Sequence, residues 1–155
     1  MAANLAVVFS QLGERTLLID GDMRSPSQHD FFGLDNGTGL SAILSGRGSP
    51  EVVRRIPGLL RLSVLPAGVQ PPNPLELLSR PAFPQLLQDL AQDYDLILID
   101  SPPAAHYADA QTIAGRTGAA LIVARRNASR ISQIRSIADA IVRTGATVVG
   151  TVLNG

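Results

Sequence analysis

The sequence has no cysteine, no lysine and no excess of either charge. Without cysteine, disulfides and thiolate-held metals are excluded, and redox chemistry leaves the compartment undetermined. Thirteen acidic residues balance thirteen basic ones, so nothing in the charge count points to nucleic acid or a membrane surface as partner. Every basic residue is arginine. Its guanidinium forks well onto phosphate and carboxylate, but it cannot supply the compact ammonium that phosphate-binding loops thread between phosphates. The apolar runs are too short to span a membrane, and Met1-Ala2-Ala3-Asn4 lacks the basic start of a signal peptide. The default expectation is a cytoplasmic protein.

What is present suits one soluble globular domain over residues 1–155, 45% of them hydrophobic. Two stretches organise it. Thr16 to Arg24 is a short apolar strand that stops at Asp20-Gly21-Asp22-Met23-Arg24, and Asp95 to Pro103 repeats the design with Asp100 in the terminal position before Ser101-Pro102-Pro103. Two buried parallel strands ending in aspartate place both acids at the carboxyl edge of one sheet, where open α/β folds keep their ligands.

Around these strands the pattern alternates. Leu5, Val8, Phe9 and Leu12 predict a helix over 2–12 closed by Gly13; 30–39 reads as loop, and 39–46 as a short helix. Ser49-Pro50 predicts a helical turn through Arg55. Leu60 to Leu65 is a strand, Asn73-Pro74 caps and opens a helix, and Ala82 to Gln92 is a longer amphipathic one. Beyond Asp100, Asp109 caps a helix to about Gly115, Ala119 to Val123 is a strand, Ser129 opens a helix ending near Gly145, and Thr147 to Leu153 is the last strand. This succession predicts an α/β fold: a doubly wound, mostly parallel sheet with flanking helices.

The bland readings are weighed alongside. Asp20 and Asp22 could be a solvated turn, but Met23-Arg24 and the second strand ending in Asp100 favour a magnesium site. Arg24 either pairs with Asp22 at the surface or steers a phosphate. His106 lacks any nucleophile at catalytic spacing and reads as an ordinary loop histidine. Ser101 shapes its loop, and Arg125, Arg126 and Arg130 form a solvated patch.

Four ordered segments resemble the bacterial tyrosine kinases of exopolysaccharide and capsule systems, members of the deviant-Walker P-loop ATPases. Thr16 to Pro26 is similar to their Walker A′ strand and loop, and Asp95 to Pro103 to Walker B. Leu65-Pro66-Ala67-Gly68 with Pro71 to Leu78, and Gly39 to Gly46, also have the family's look. The resemblance implies transfer of the γ-phosphoryl group of ATP to tyrosine with Mg2+. Asp20 would activate the tyrosine hydroxyl, Asp22 would orient water or the magnesium shell, and Asp100 would hold magnesium, usually through water. Arg24 and Asn154 would contact the nucleotide, Asn154 at the adenine. The implied partners are a membrane-bound polysaccharide chain-length regulator, which associates the kinase with the inner membrane, and further copies of the chain.

The family's glycine-rich lysine loop and its tyrosine-rich tail have no counterpart in these residues. Tyr94 and Tyr107, the two tyrosines, are expected inside the fold. The expectation is a kinase domain cut at both ends, with its first strand and P-loop missing, that binds ATP poorly by itself. Two rivals stand: a partition or septum-site ATPase switch on the same fold, and a scaffold that has lost nucleotide binding.

Overall fold

A computed structural model describes residues 1–155, which fall into two compact units, Met1–Pro102 and Pro103–Gly155. The first is built on a four-stranded sheet and the second on a two-stranded one.

In the first unit, β1 (Thr16–Asp20) lies between β3 (Leu59–Leu65) and β4 (Leu96–Asp100), parallel to both. All five β1 residues are buried, as a central strand covered on both faces requires. One face takes helix α1 (Ala2–Gln11). Its Ala6 packs with Leu18, Leu62, Val64 and Ile56 into one apolar cluster, to which Phe32, Leu34 and Leu98 add partly buried side chains. Helix α5 (Ala82–Leu90) buries Phe83, Leu86 and Leu90, spaced along a single helical stripe. Helix α4 (Pro74–Ser79) begins as the sequence predicts, with the Asn73 side chain accepting from the Glu76 N–H and Pro74 at the first position.

The sheet departs from parallel at one edge. After a single 3-10 turn at Pro50–Val52, strand β2 (Arg54–Ile56) pairs antiparallel with β3 through Pro57-Gly58. The predicted helical turn through Arg55 therefore ends at Val52, because Pro57-Gly58, with Gly58 at φ 80°, makes a hairpin turn that recruits its flanks. The stretch 30–39, expected as loop, opens with the last three residues of α2 (Gln28–Phe32), a short helix closed by Gly33 in the left-handed conformation. A further short helix, α3 (Leu40–Leu44), is fixed by β3's exit loop: Leu40 and Ser41 donate to the Pro66 and Ala67 carbonyls at 2.8 and 2.9 Å. Gly39 makes that approach possible, since a Cβ there would lie 2.1 Å from the Pro66 oxygen.

The second unit is α6 (Asp109–Thr117), β5 (Ala119–Arg125), α7 (Ile131–Arg143) and β6 (Thr147–Asn154), with β5 and β6 parallel. Ala114, Ile122, Ile141 and Ala146 form its core, a β-α-β unit with one face of the sheet under helices. Two caps differ from expectation. Asp109 is the buried first residue of α6 and Ala108 its cap, while α7 is capped by Arg130, leaving Ser129 to accept from the Arg125 N–H. No helix is long and apolar enough to cross a membrane.

Candidate active site

The site begins with the register of β1 against β4. At the amino end, Arg15 clasps Asp95 with two guanidinium bonds, at 2.6 and 3.1 Å, and a backbone N–H bond at 2.9 Å, while the Arg15 carbonyl accepts from the Asp95 and Leu96 N–H groups. The Arg15 guanidinium holds the Asp95 carboxyl at about 2, well below the usual carboxylate range. From that clasp the strands run in step, Thr16 against Leu96, and deliver Asp20 directly opposite Asp100 at the carboxyl end. A slip of one residue would turn one acid to the other face.

Past the strand ends the carboxylates fold the loop around themselves. Asp20 is fully buried. Its Oδ1 accepts from the Asp22 N–H at 3.1 Å, and its Oδ2 from the N–H groups of Ser27 and Gln28, both at 3.0 Å, which fastens the start of α2 to the end of β1. Asp22 repeats the device one step out, its Oδ1 accepting from Arg24 at 3.1 Å and Ser25 at 2.9 Å. Asp100 Oδ2 accepts from the Gln28 side-chain amide at 2.8 Å, and the Asp100 carbonyl from the Gly21 N–H at 2.8 Å.

Burial pushes both strand-end carboxyls above their ordinary value; Asp20 is pulled back by the Gln28, Ser27 and Asp22 N–H groups and pushed further by Asp100. For Asp100 the Gln28 amide opposes burial and the Asp22 charge adds to it. Both strand-end acids are thus held where the fold disfavours their charge.

Asp20, Asp22, Arg24 and Asp100 are thus brought into one constellation of the first unit. Asn154 lies in the second unit, exposed at the end of β6, where its carbonyl accepts from the Arg126 N–H. His106 sits exposed with its ring edge-on to Tyr107, and Ser101 Oγ donates to the Pro102 carbonyl, both as loop residues do. Arg125, Arg126 and Arg130 are exposed, as expected. The tyrosines are less enclosed than the sequence suggested: Tyr94 is half-buried and Tyr107 is 41% exposed.

The residue that sequence reasoning passed over is Gln28, buried and bonded to both acids. Its signal was faint, an uncharged side chain eight positions past Asp20, just after Ser25-Pro26-Ser27. No three His, Cys, Asp or Glu side chains converge as a preformed metal cage.

Acids closing adjacent parallel strands, with the chain gathered into turns above them, mark the carboxyl edge of an open α/β sheet, and the solved neighbours place the fold among the P-loop ATPases. Solved MinD ATPases share that fold, one from Pyrococcus furiosus at 24% identity with a TM-score of 0.82. No protein-family model matches the sequence. The kinase domain of VpsO is 35% identical with a TM-score of 0.91, covering 99% of this chain and 75% of that one. Tyrosine-protein kinase YwqD of Bacillus subtilis is 35% identical over 154 residues, and tyrosine-protein kinase wzc of Salmonella typhi 36% over 154. The chain spans 65% of YwqD's length and 21% of wzc's. The chain belongs to the bacterial tyrosine-protein kinases.

Proposed function

We propose that residues 1–155 are part of one deviant-Walker kinase domain that transfers the γ-phosphoryl group of ATP to protein tyrosine in exopolysaccharide or capsule synthesis. The observation that carries this reading is Asp20 set against Asp100 by strand register, with Asp22 on the adjoining turn, in a chain of this family. The donor set fits magnesium: hard carboxylate oxygens, both strand-end acids uncomfortable as bare charges, and a buried Gln28 Oε1 with no hydrogen-bond partner. Bound Mg2+ and ATP supply the electrophilic phosphorus and neutralise its charge.

The chain's own part is placement and proton handling. Asp100 and Asp22 hold the cation, Asp100 through water. Asp22, which unlike Asp20 reaches solvent, takes the tyrosine proton or orients the group that does. Asp20, its oxygens occupied by three backbone N–H groups, holds the loop that carries Asp22, a change from the base role that family resemblance implies for it. Arg24 meets a phosphate. We further propose a cytoplasmic location at the inner membrane through a polysaccharide chain-length regulator, self-assembly, and no nucleic-acid partner.

The test is product identity. The full protein as its host expresses it, given γ-labelled ATP, Mg2+ and a tyrosine-bearing polypeptide, should yield phosphotyrosine, and Asp22→Asn should lower that yield at least about 100-fold. Free phosphate as the sole product would replace this reading with the ATPase switch. No turnover with no nucleotide binding would leave the scaffold.

A further inference from the structure

Gln28 has more contacts with the acids than any role as a helix start requires. It is 3% exposed. Its backbone N–H donates to Asp20 Oδ2 at 3.0 Å and its side-chain Nε2 to Asp100 Oδ2 at 2.8 Å, so one residue ties together the acids that two strands deliver. The amide's orientation follows from its neighbour: only the N–H end can face a carboxylate, since the oxygen end would meet lone pairs. That leaves Oε1 buried with no hydrogen-bond partner. Buried acceptors are nearly always satisfied, so an unsatisfied one beside two carboxylates marks a place where a donor arrives.

The residue type is informative too. Lysine or arginine would bridge the acids just as well but would neutralise them and occupy the cation's place. Glutamate would repel both. An uncharged amide supplies the donor and leaves the negative potential intact.

We propose that Gln28 is a positioning residue for the divalent cation, holding Asp100 by its amide N–H, Asp20 by its backbone N–H, and accepting through Oε1 from a water of the cation's shell. This rests on the magnesium reading above. The charged side chains that bear on this pair of acids, besides the acids themselves, include the Asp22 carboxylate. The amide fixes which Asp100 oxygen is engaged by protein and which is left for the ion's shell. Partners of metal-site residues at this remove are typically worth about 10- to 100-fold in metal affinity.

Mn2+ binding to the full protein, read from the loss of the free-ion electron paramagnetic signal, tests it. Gln28→Met keeps the shape and the backbone N–H on Asp20 but removes donor and acceptor together, and should weaken Mn2+ about 10-fold. Gln28→Glu loses the donor to Asp100 but keeps an acceptor and adds a negative charge that a cation offsets, and should bind Mn2+ more tightly than Gln28→Met. A merely structural role moves both variants the same way, so equal weakening, or a Gln28→Met affinity equal to the parent's, overturns the proposal. Asp100→Asn separates the two levels: if it too leaves Mn2+ binding untouched, the magnesium reading has failed and not only Gln28's part in it. Should Gln28→Met not fold, the parent decides, because the Gln28 side-chain amide resonances must shift when Mg2+ is added, and unmoved resonances refute the role.

Discussion

Replacing Asp100 with asparagine should make the protein more stable at neutral pH. The side chains are isosteric, and the asparagine oxygen still accepts from the Gln28 amide, so packing and that bond survive. What is lost is a charge that the fold disfavours, chiefly because it is buried and in part because of Asp22. Asp20 stands directly across the strand pair, and neighbouring strands are about 4.8 Å apart. Like charges about 5.5 Å apart at an effective dielectric near 20 repel by about 3 kcal/mol. The Gln28 hydrogen bond to a charged acceptor gives back part of this. The net gain is about 1–2 kcal/mol, in the range found when a functional site is relieved of its strain. For a chain of this size that is a Tm about 2–8 °C higher.

The pH dependence fixes the cause. A carboxyl whose folded pKa is raised binds more protons folded than unfolded between its ordinary value and the raised one, so stability falls as pH rises through that window. The variant lacks this slope at position 100. Urea denaturation of parent and variant should give curves that coincide below the ordinary carboxyl range and separate above it, the variant ahead. A variant less stable at pH 7, or a gap equally wide at pH values below about 3.8, would refute the reasoning.

Other outcomes follow from the same contacts. Asp20→Ala removes the acceptor for three backbone N–H groups and should cost about 3 kcal/mol or more in urea unfolding, against the gain at Asp100, because an unmade buried bond costs about 1–3 kcal/mol each. Gly39→Ala places a methyl 2.1 Å from the Pro66 oxygen, so it should destabilise by about 1–3 kcal/mol or more and speed hydrogen exchange at the Leu40 and Ser41 amides. Phe83→Ala empties a fully buried site under α5 and should cost about 3–5 kcal/mol by the same denaturation assay. Asp95, held at about 2 by Arg15, contributes stability present above the ordinary carboxyl pKa and lost as pH falls toward 2; Asp95→Asn should flatten that acid limb in a pH series of thermal melts.

Much of this was legible in one dimension. The α/β class, the strands ending at Asp20 and Asp100, the Asn73-Pro74 helix start and the family itself follow from local patterns, since apolar runs, caps and prolines act on their immediate neighbours. The absence of lysine and cysteine set the chemistry that these residues can offer before any fold was known. Tertiary structure decided what depends on partners distant in the chain. The hairpin of β2 exists because β3 offers it an edge, and α2 because the carboxylate of Asp20, eight residues back, accepts its first N–H. The register that sets Asp20 against Asp100 is clasped by Arg15 and Asp95, eighty positions apart. Asp20's burial under three backbone N–H groups, and Gln28's place between two acids, follow from hydrogen bonding across that register, which no run of neighbouring residues encodes.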